Sequence, residues 1–112
     1  MKKIRAAIVG YGNIGKFVLD ALETAPDFEV AGIVLRSIGN VSAALSGYNV
    51  VTNINQLEDV NVAILCTPTR EVEKYATEYL AKGINTVDSF DIHTGIAELR
   101  RNLNTVAQAN GT

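Results

Sequence analysis

Apolar residues in this chain come in two rhythms that alternate from one end to the other. Ile4–Gly10 is a short unbroken apolar run that glycine ends, the mark of a buried strand. Asn13–Ala25 follows with Ile14, Phe17, Val18, Ala21 and Leu22 at helical spacing, which predicts a helix with those residues on its inner face. Pro26 stands where that helix should stop. Phe28–Leu35 reads as a second strand, Tyr48–Thr52 as a short third, and Val60–Cys66 as a fourth that is apolar on both faces, as a central parallel strand must be. Val41–Ser46 and Ile54–Glu58 have room for a helical turn each.

In "CTPTREVEKYATEYLAKG", Thr67 suits a helix N-cap and Pro68 a first helical position. Val72, Tyr75, Ala76, Tyr79 and Leu80 then repeat at helical spacing up to the stop at Gly83. Asn85–Asp88 reads as a fifth strand. A last helix over Thr94–Asn110 carries Ile96, Leu99, Leu103, Val106 and Ala107 on one face and ends at Gly111. Strand and helix alternating in this way predict an α/β fold, a doubly wound parallel sheet with helices on both faces. Right-handed crossovers leave 3-2-1-4-5 as the simplest strand order.

Composition narrows the function without choosing it. The 112 residues are 47% apolar and 20% charged, enough for one domain with its own core. A net charge of −2 offers no basic footprint for nucleic acid or for a membrane surface. Glycines interrupt the first apolar run too early for a signal peptide, and no stretch reaches the roughly 20 apolar residues that span a bilayer. The single cysteine, Cys66, excludes an internal disulfide and fits a reducing compartment, so a cytoplasmic protein is expected. No further strand follows the last helix, so the chain is expected to be part of a longer protein.

Chemistry enters at "IVGYGNIG". Gly10, Gly12 and Gly15 form G-x-G-x-x-G between a predicted strand and a predicted helix, the context in which the pattern binds a dinucleotide. Gly10 allows the tight turn, Gly12 leaves room for a pyrophosphate, and Gly15 lets the helix pack closely. Backbone N–H groups of Gly12, Asn13 and Ile14 then face the phosphates at the positive end of the helix. The plain alternative is a tight turn with no ligand.

Arg36 lies about 20 residues after this loop, at the end of the second strand, where an acid would bond the adenosine ribose 2′-hydroxyl. No Asp or Glu lies between Val30 and Leu57. Arg36 with its planar fork, and Ser37 with its hydroxyl, instead suit a 2′-phosphate, so NADP is expected over NAD. The alternative is a solvated arginine at a strand end.

Cys66, Thr67, Pro68 and Thr69 follow the fourth strand, at the switch point where open α/β sheets bind ligands. Cys66 reads as packing, having no base near it in sequence. "DSFDIH" places Asp88, Asp91 and His93 close together, but without the second cluster a metal site needs. His93 reads as a helix-start residue, and Asp91 as a loop carboxylate able to hold a substrate ammonium.

Together, "IRAAIVGYGNIGK", "AGIVLRS", "VAILCTPT" and "GINTVDSFDIH" resemble, in order and spacing, the amino-terminal part of the meso-diaminopimelate D-dehydrogenases. The resemblance runs over nearly the whole chain. It implies a Rossmann-like domain over residues 1–112 in a longer two-domain enzyme. It also implies an NADP-dependent oxidative deamination at the D-centre of meso-2,6-diaminoheptanedioate, giving L-2-amino-6-oxoheptanedioate and ammonia. Bacteria run the reverse reaction toward lysine and a cell-wall precursor.

Carried onto this sequence, it implies cofactor contacts at Tyr11, Gly12, Asn13 and Ile14 around the pyrophosphate and at Leu35, Arg36 and Ser37 around the 2′-phosphate. Cys66, Thr67, Pro68 and Thr69 follow, then Ser89, Phe90 and Asp91, with Asp91 also touching substrate. No catalytic residue and no metal ligand is implied. Family members are longer, and their second domain supplies most substrate contacts and a homodimer interface. This chain alone is therefore expected to bind NADP weakly or not at all and to turn nothing over, since hydride transfer needs both partners held within about 3–3.5 Å. Other readings of the same residues are a domain of dihydrodipicolinate reductase or homoserine dehydrogenase, a nucleotide sensor without chemistry, or a fragment kept for its fold.

Overall fold

A computed structural model describes residues 3–37, 45–88 and 94–112. Strand β1 (Ile4–Val9) is followed by helix α1 (Asn13–Glu23), β2 (Phe28–Val34), β3 (Val50–Val51), β4 (Val62–Leu65), α2 (Val72–Ala81), β5 (Asn85–Asp88) and α3 (Ile96–Asn110). The sheet is parallel at every pairing and runs β3-β2-β1-β4-β5, the predicted order. Its order reverses between β1 and β4, which opens a crevice at the carboxyl ends of those strands.

Alternation along the strands sorts the core into two layers. Ala7, Val9, Ala63 and Leu65 face α2 and α3, where Val72, Ala76, Tyr79 and Leu99 cover them. Ala6, Ile8 and Ile33 face the other way, against Leu19 and Leu22 of α1. Small residues at the centre of β1 let helices approach from both sides. The register of β1 on β2 shifts between Ala6 and Ala7, a bulge in the middle of the ladder. Beyond it Gly32 sits so tightly that a Cβ there would lie 2.5 Å from Leu57 Cδ2 and 2.7 Å from the Asn49 carbonyl. The hydrophobic pattern carries no sign of that constraint.

Helix α1 corrects the sequence reading. Its buried residues are Gly15, Leu19 and Leu22; of the predicted stripe Leu22 is inside and Val18 half-buried, while Ile14, Phe17 and Ala21 face out. Ile14 is 55% exposed and Phe17 70%. The cause is Gly15, where a Cβ would stand 2.5 Å from the Gly10 carbonyl, so the helix presses its bare side onto the turn. That contact fixes its rotation and turns Ile14 and Phe17 outward.

The α1 layer covers β1 and β2 but leaves the other half of that sheet face thinly clad. Val62 and Ile64 of β4 are only half-buried, and Val87, level with Ile64 on β5, is 55% exposed. Helix α3 is also less buried than its spacing predicts. Leu99 alone is fully inside, while Ile96 is exposed. Gly111 ends it in the left-handed conformation, φ 70°. Residues 41–44 of the predicted turn before β3 lie outside the described residues.

Tyr79 is the largest fully buried side chain, and burial pushes its hydroxyl up to about 12. The fold therefore holds the neutral phenol. This contribution is fully present below pH 10, the unfolded value, and is lost as pH rises through about 12. Urea unfolding across that window should show stability falling by an extra amount on the order of 2–3 kcal/mol, and Tyr79→Phe should remove that part of the slope. Identical slopes for the two proteins would rule it out.

Candidate nucleotide-binding site

A cleft of about 890 Å³ occupies the crevice between β1 and β4. Its floor is the loop from β1 into α1. Gly10 has φ +90°, and a Cβ on it would stand 2.9 Å from the Cys66 carbonyl, so β1 and β4 can run side by side here only with glycine at this position. Gly12 is the N-cap of α1 and makes no side-chain cap bond, and the first turn holds no acid. The N–H groups at the start of α1 therefore lack an intrahelical partner and keep their positive end open to the cleft. A Cβ on Gly12 would meet nothing within 4 Å, so the space in front of it is free for a ligand.

Hydrogen bonds run one residue past the strands and tie the loops to one frame. Cys66 N–H donates to the Val9 carbonyl at 2.8 Å, Gly10 N–H to the Val34 carbonyl at 2.9 Å, and Leu35 N–H to the Val51 carbonyl at 2.9 Å. The far wall is Thr52–Ile54. There Asn53 caps a 3₁₀ turn by accepting from Asn55 N–H at 2.9 Å, and Gln56 Oε1 accepts from Asn53 N–H at 3.1 Å.

Of the residues singled out from sequence, Gly10, Tyr11, Gly12, Asn13, Ile14, Leu35, Arg36, Cys66, Thr67 and Pro68 line this cleft. Gly15 lies beneath the turn instead. Ser37 and Thr69 are not among the lining residues. Ser89, Phe90, Asp91 and His93 lie outside the described residues. Sequence reasoning missed Thr52, Asn53, Glu71, Lys74 and Tyr75, which also line the cleft. The strand order itself was the available signal, since it sets the end of β3 and the start of α2 on either side of the crevice.

Thr67 is a further correction. It does not cap a helix: Pro68 precedes a 3₁₀ turn over Thr69–Glu71, and α2 begins only at Val72. Among the described residues, two buried side-chain oxygens have no hydrogen-bond partner, Thr67 Oγ1 and Glu71 Oε2, and both residues line the cleft. Unpaired buried oxygens are rare, and their position here is what a site for a polar ligand requires. The other oxygen of Glu71 accepts from Arg36 Nη2 across the cleft mouth. Lys74 also lines the cleft, its Nζ 5.6 Å from the Tyr75 ring centre.

Burial raises the Cys66 thiol above its ordinary value, so near neutral pH it is a protonated packing group and not a nucleophile. Among the described residues no cluster of three His, Cys, Asp or Glu side chains could hold a metal ion, and no helix is long and apolar enough to cross a membrane.

A parallel sheet of this order, with a glycine turn feeding an open helix N-terminus, defines a dinucleotide-binding domain. The chain belongs to the oxidoreductase family with an NAD-binding Rossmann fold, which it matches over residues 4–110. It is a close homologue of meso-diaminopimelate D-dehydrogenase. It is 65% identical over 112 residues to that enzyme from Bacteroides fragilis, a match covering 99% of this chain and 38% of the relative. The chain thus spans little more than a third of that relative, its amino-terminal part.

The solved structure of C. glutamicum DAP dehydrogenase in complex with DAP superposes with a TM-score of 0.84 at 31% identity, covering 100% of this chain and 35% of that one. An engineered D-amino acid dehydrogenase bound to NADP+ gives 0.82 at 30% identity, covering 98% and 34%.

Gly12→Val tests the cleft directly. Its backbone, φ −102° and ψ −150°, is extended with a negative φ, and the side chain would point into free space. The variant should lose on the order of 1 kcal/mol of stability, valine being a poor N-cap, remain folded, and lose nucleotide binding in calorimetry. Unimpaired binding would remove the phosphate role from this loop.

Proposed function

We propose that residues 1–112 form the NADP-binding domain of a longer two-domain dehydrogenase. In this reading the whole enzyme oxidatively deaminates the D-centre of meso-diaminopimelate and assembles as a homodimer through a domain beyond these residues. It works in the cytoplasm, where Cys66 stays reduced. The observation that carries the reading is the cleft: an uncapped α1 N-terminus at its floor and Arg36 at its outer end, with no acid on the end of β2.

The residues present fit such a cofactor. The turn Gly10–Ile14 accommodates a pyrophosphate on backbone N–H groups. Leu35, Arg36 and Ser37 take the adenosine end, with the guanidinium on the 2′-phosphate. Cys66, Thr67, Pro68 and Thr69 border the path toward the nicotinamide, where Thr67 Oγ1 gains the partner it lacks. When bound, the nicotinamide supplies the hydride acceptor. The chain's own residues hold and orient that group, and none is assigned a catalytic role. Ser89, Phe90 and Asp91 join the site on the sequence resemblance alone, with Asp91 receiving the substrate ammonium.

Calorimetry with NADP and NAD side by side tests this. NADP should bind more tightly, and Arg36→Ala should narrow the gap by about 10- to 100-fold, the value of one charge-assisted hydrogen bond. Equal affinities in the unmutated protein would overturn the NADP assignment. Reduction of NADP by this chain with meso-diaminopimelate would overturn the need for a further domain.

A further inference from the structure

In a fold of this kind the acid that accepts from an NAD ribose stands at the end of β2. Here that end carries Arg36, and the nearest acids in sequence are Glu29 and Glu58. The fold nevertheless brings a carboxylate to the same place from another strand. Glu71 closes the 3₁₀ turn after β4, and its Oε1 accepts from Arg36 Nη2 across the cleft mouth.

The two partners are unequally held. The Glu71 side chain is 27% exposed and that of Arg36 73%. Glu71 N–H also donates to the Pro68 carbonyl at 2.9 Å, which holds its backbone in the turn, so the guanidinium is the more exposed partner and reaches to a more buried carboxylate. Its second oxygen, Oε2, is buried with no hydrogen-bond partner, leaving it able to accept from one more donor.

That carboxylate treats the two nucleotides in opposite ways. A ribose 2′-hydroxyl is a donor and can satisfy it. A 2′-phosphate carries a charge of about −1.5 to −2 and offers mainly acceptors, so it is repelled and must also compete for Arg36. Among the described residues, the charged ones lining the cleft are Arg36 and Lys74 against Glu71 and Glu78, which sum to no net charge. Without Glu71 that sum becomes positive.

We propose that Glu71 is a specificity-determining residue for the cofactor: an acid supplied from the turn after β4 that moderates the preference Arg36 gives to NADP and supports NAD. The inference rests on the NADP reading above and goes beyond it by naming the opposing group.

The test is calorimetry on the full 112-residue chain and its Glu71→Gln variant, each with NADP and with NAD. The substitution keeps the shape of the side chain and removes its charge. NADP should bind roughly tenfold tighter to the variant, with NAD unchanged or weaker, so that the ratio of affinities rises. A purely structural role would weaken both nucleotides together and leave the ratio where it was. An unchanged or lower ratio, with the parent still preferring NADP, overturns this inference and leaves the NADP reading standing. A parent and variant that bind neither nucleotide overturn this inference, since the chain then holds no site for Glu71 to tune, and leave the reading of the longer enzyme standing.

Discussion

The close passage of Gly10 beside the Cys66 carbonyl is the constraint on which the rest of the molecule hangs. β1 and β4 are neighbours in space but far apart in sequence, and the sheet reverses its order between them. A side chain at Gly10 would force them apart at the point where the cleft forms. With glycine there, the ladder continues past the strands. Cys66, Gly10 and Leu35 each donate to the next strand over, from β4 to β1 to β2 to β3. Three loops that could move independently are thereby held by one set of backbone bonds. Preorganisation of this kind lets a cleft bind without first ordering its walls.

The same compression sets the direction of α1. Gly15 lies against the Gly10 carbonyl, so helix rotation is decided at its first turn and not by its most apolar stripe. Local hydrophobicity and tertiary packing disagree here, and packing wins. The outcome is a helix whose N-terminus opens on the cleft while Phe17 faces water.

Strand order, helix positions on α2 and the glycine turn were all legible in the sequence because each rests on local signals: alternation, helical spacing and glycine context. Arg36 was legible by its distance from the turn. The rotation of α1 was not, since it depends on a steric contact between Gly15 and a backbone oxygen. Thr67 had the composition of a cap, but Pro68 and the 3₁₀ turn after it delay the helix. Glu71 was invisible for a different reason. It meets Arg36 across 35 positions of chain, and only the fold sets that distance to zero. The assignment for Ser89–Asp91 rests on resemblance, since those residues lie outside the described structure.

Cys66 has a consequence of another kind. It is the single thiol in the chain, it borders the cleft, and burial keeps it protonated near neutral pH. A thiol reagent therefore has one address on this protein, at the junction of β4 and the ligand crevice. At one fixed pH, a change in its rate of modification follows a change in the exposure of that crevice, which gives the cleft a chemical clock that needs no engineered label.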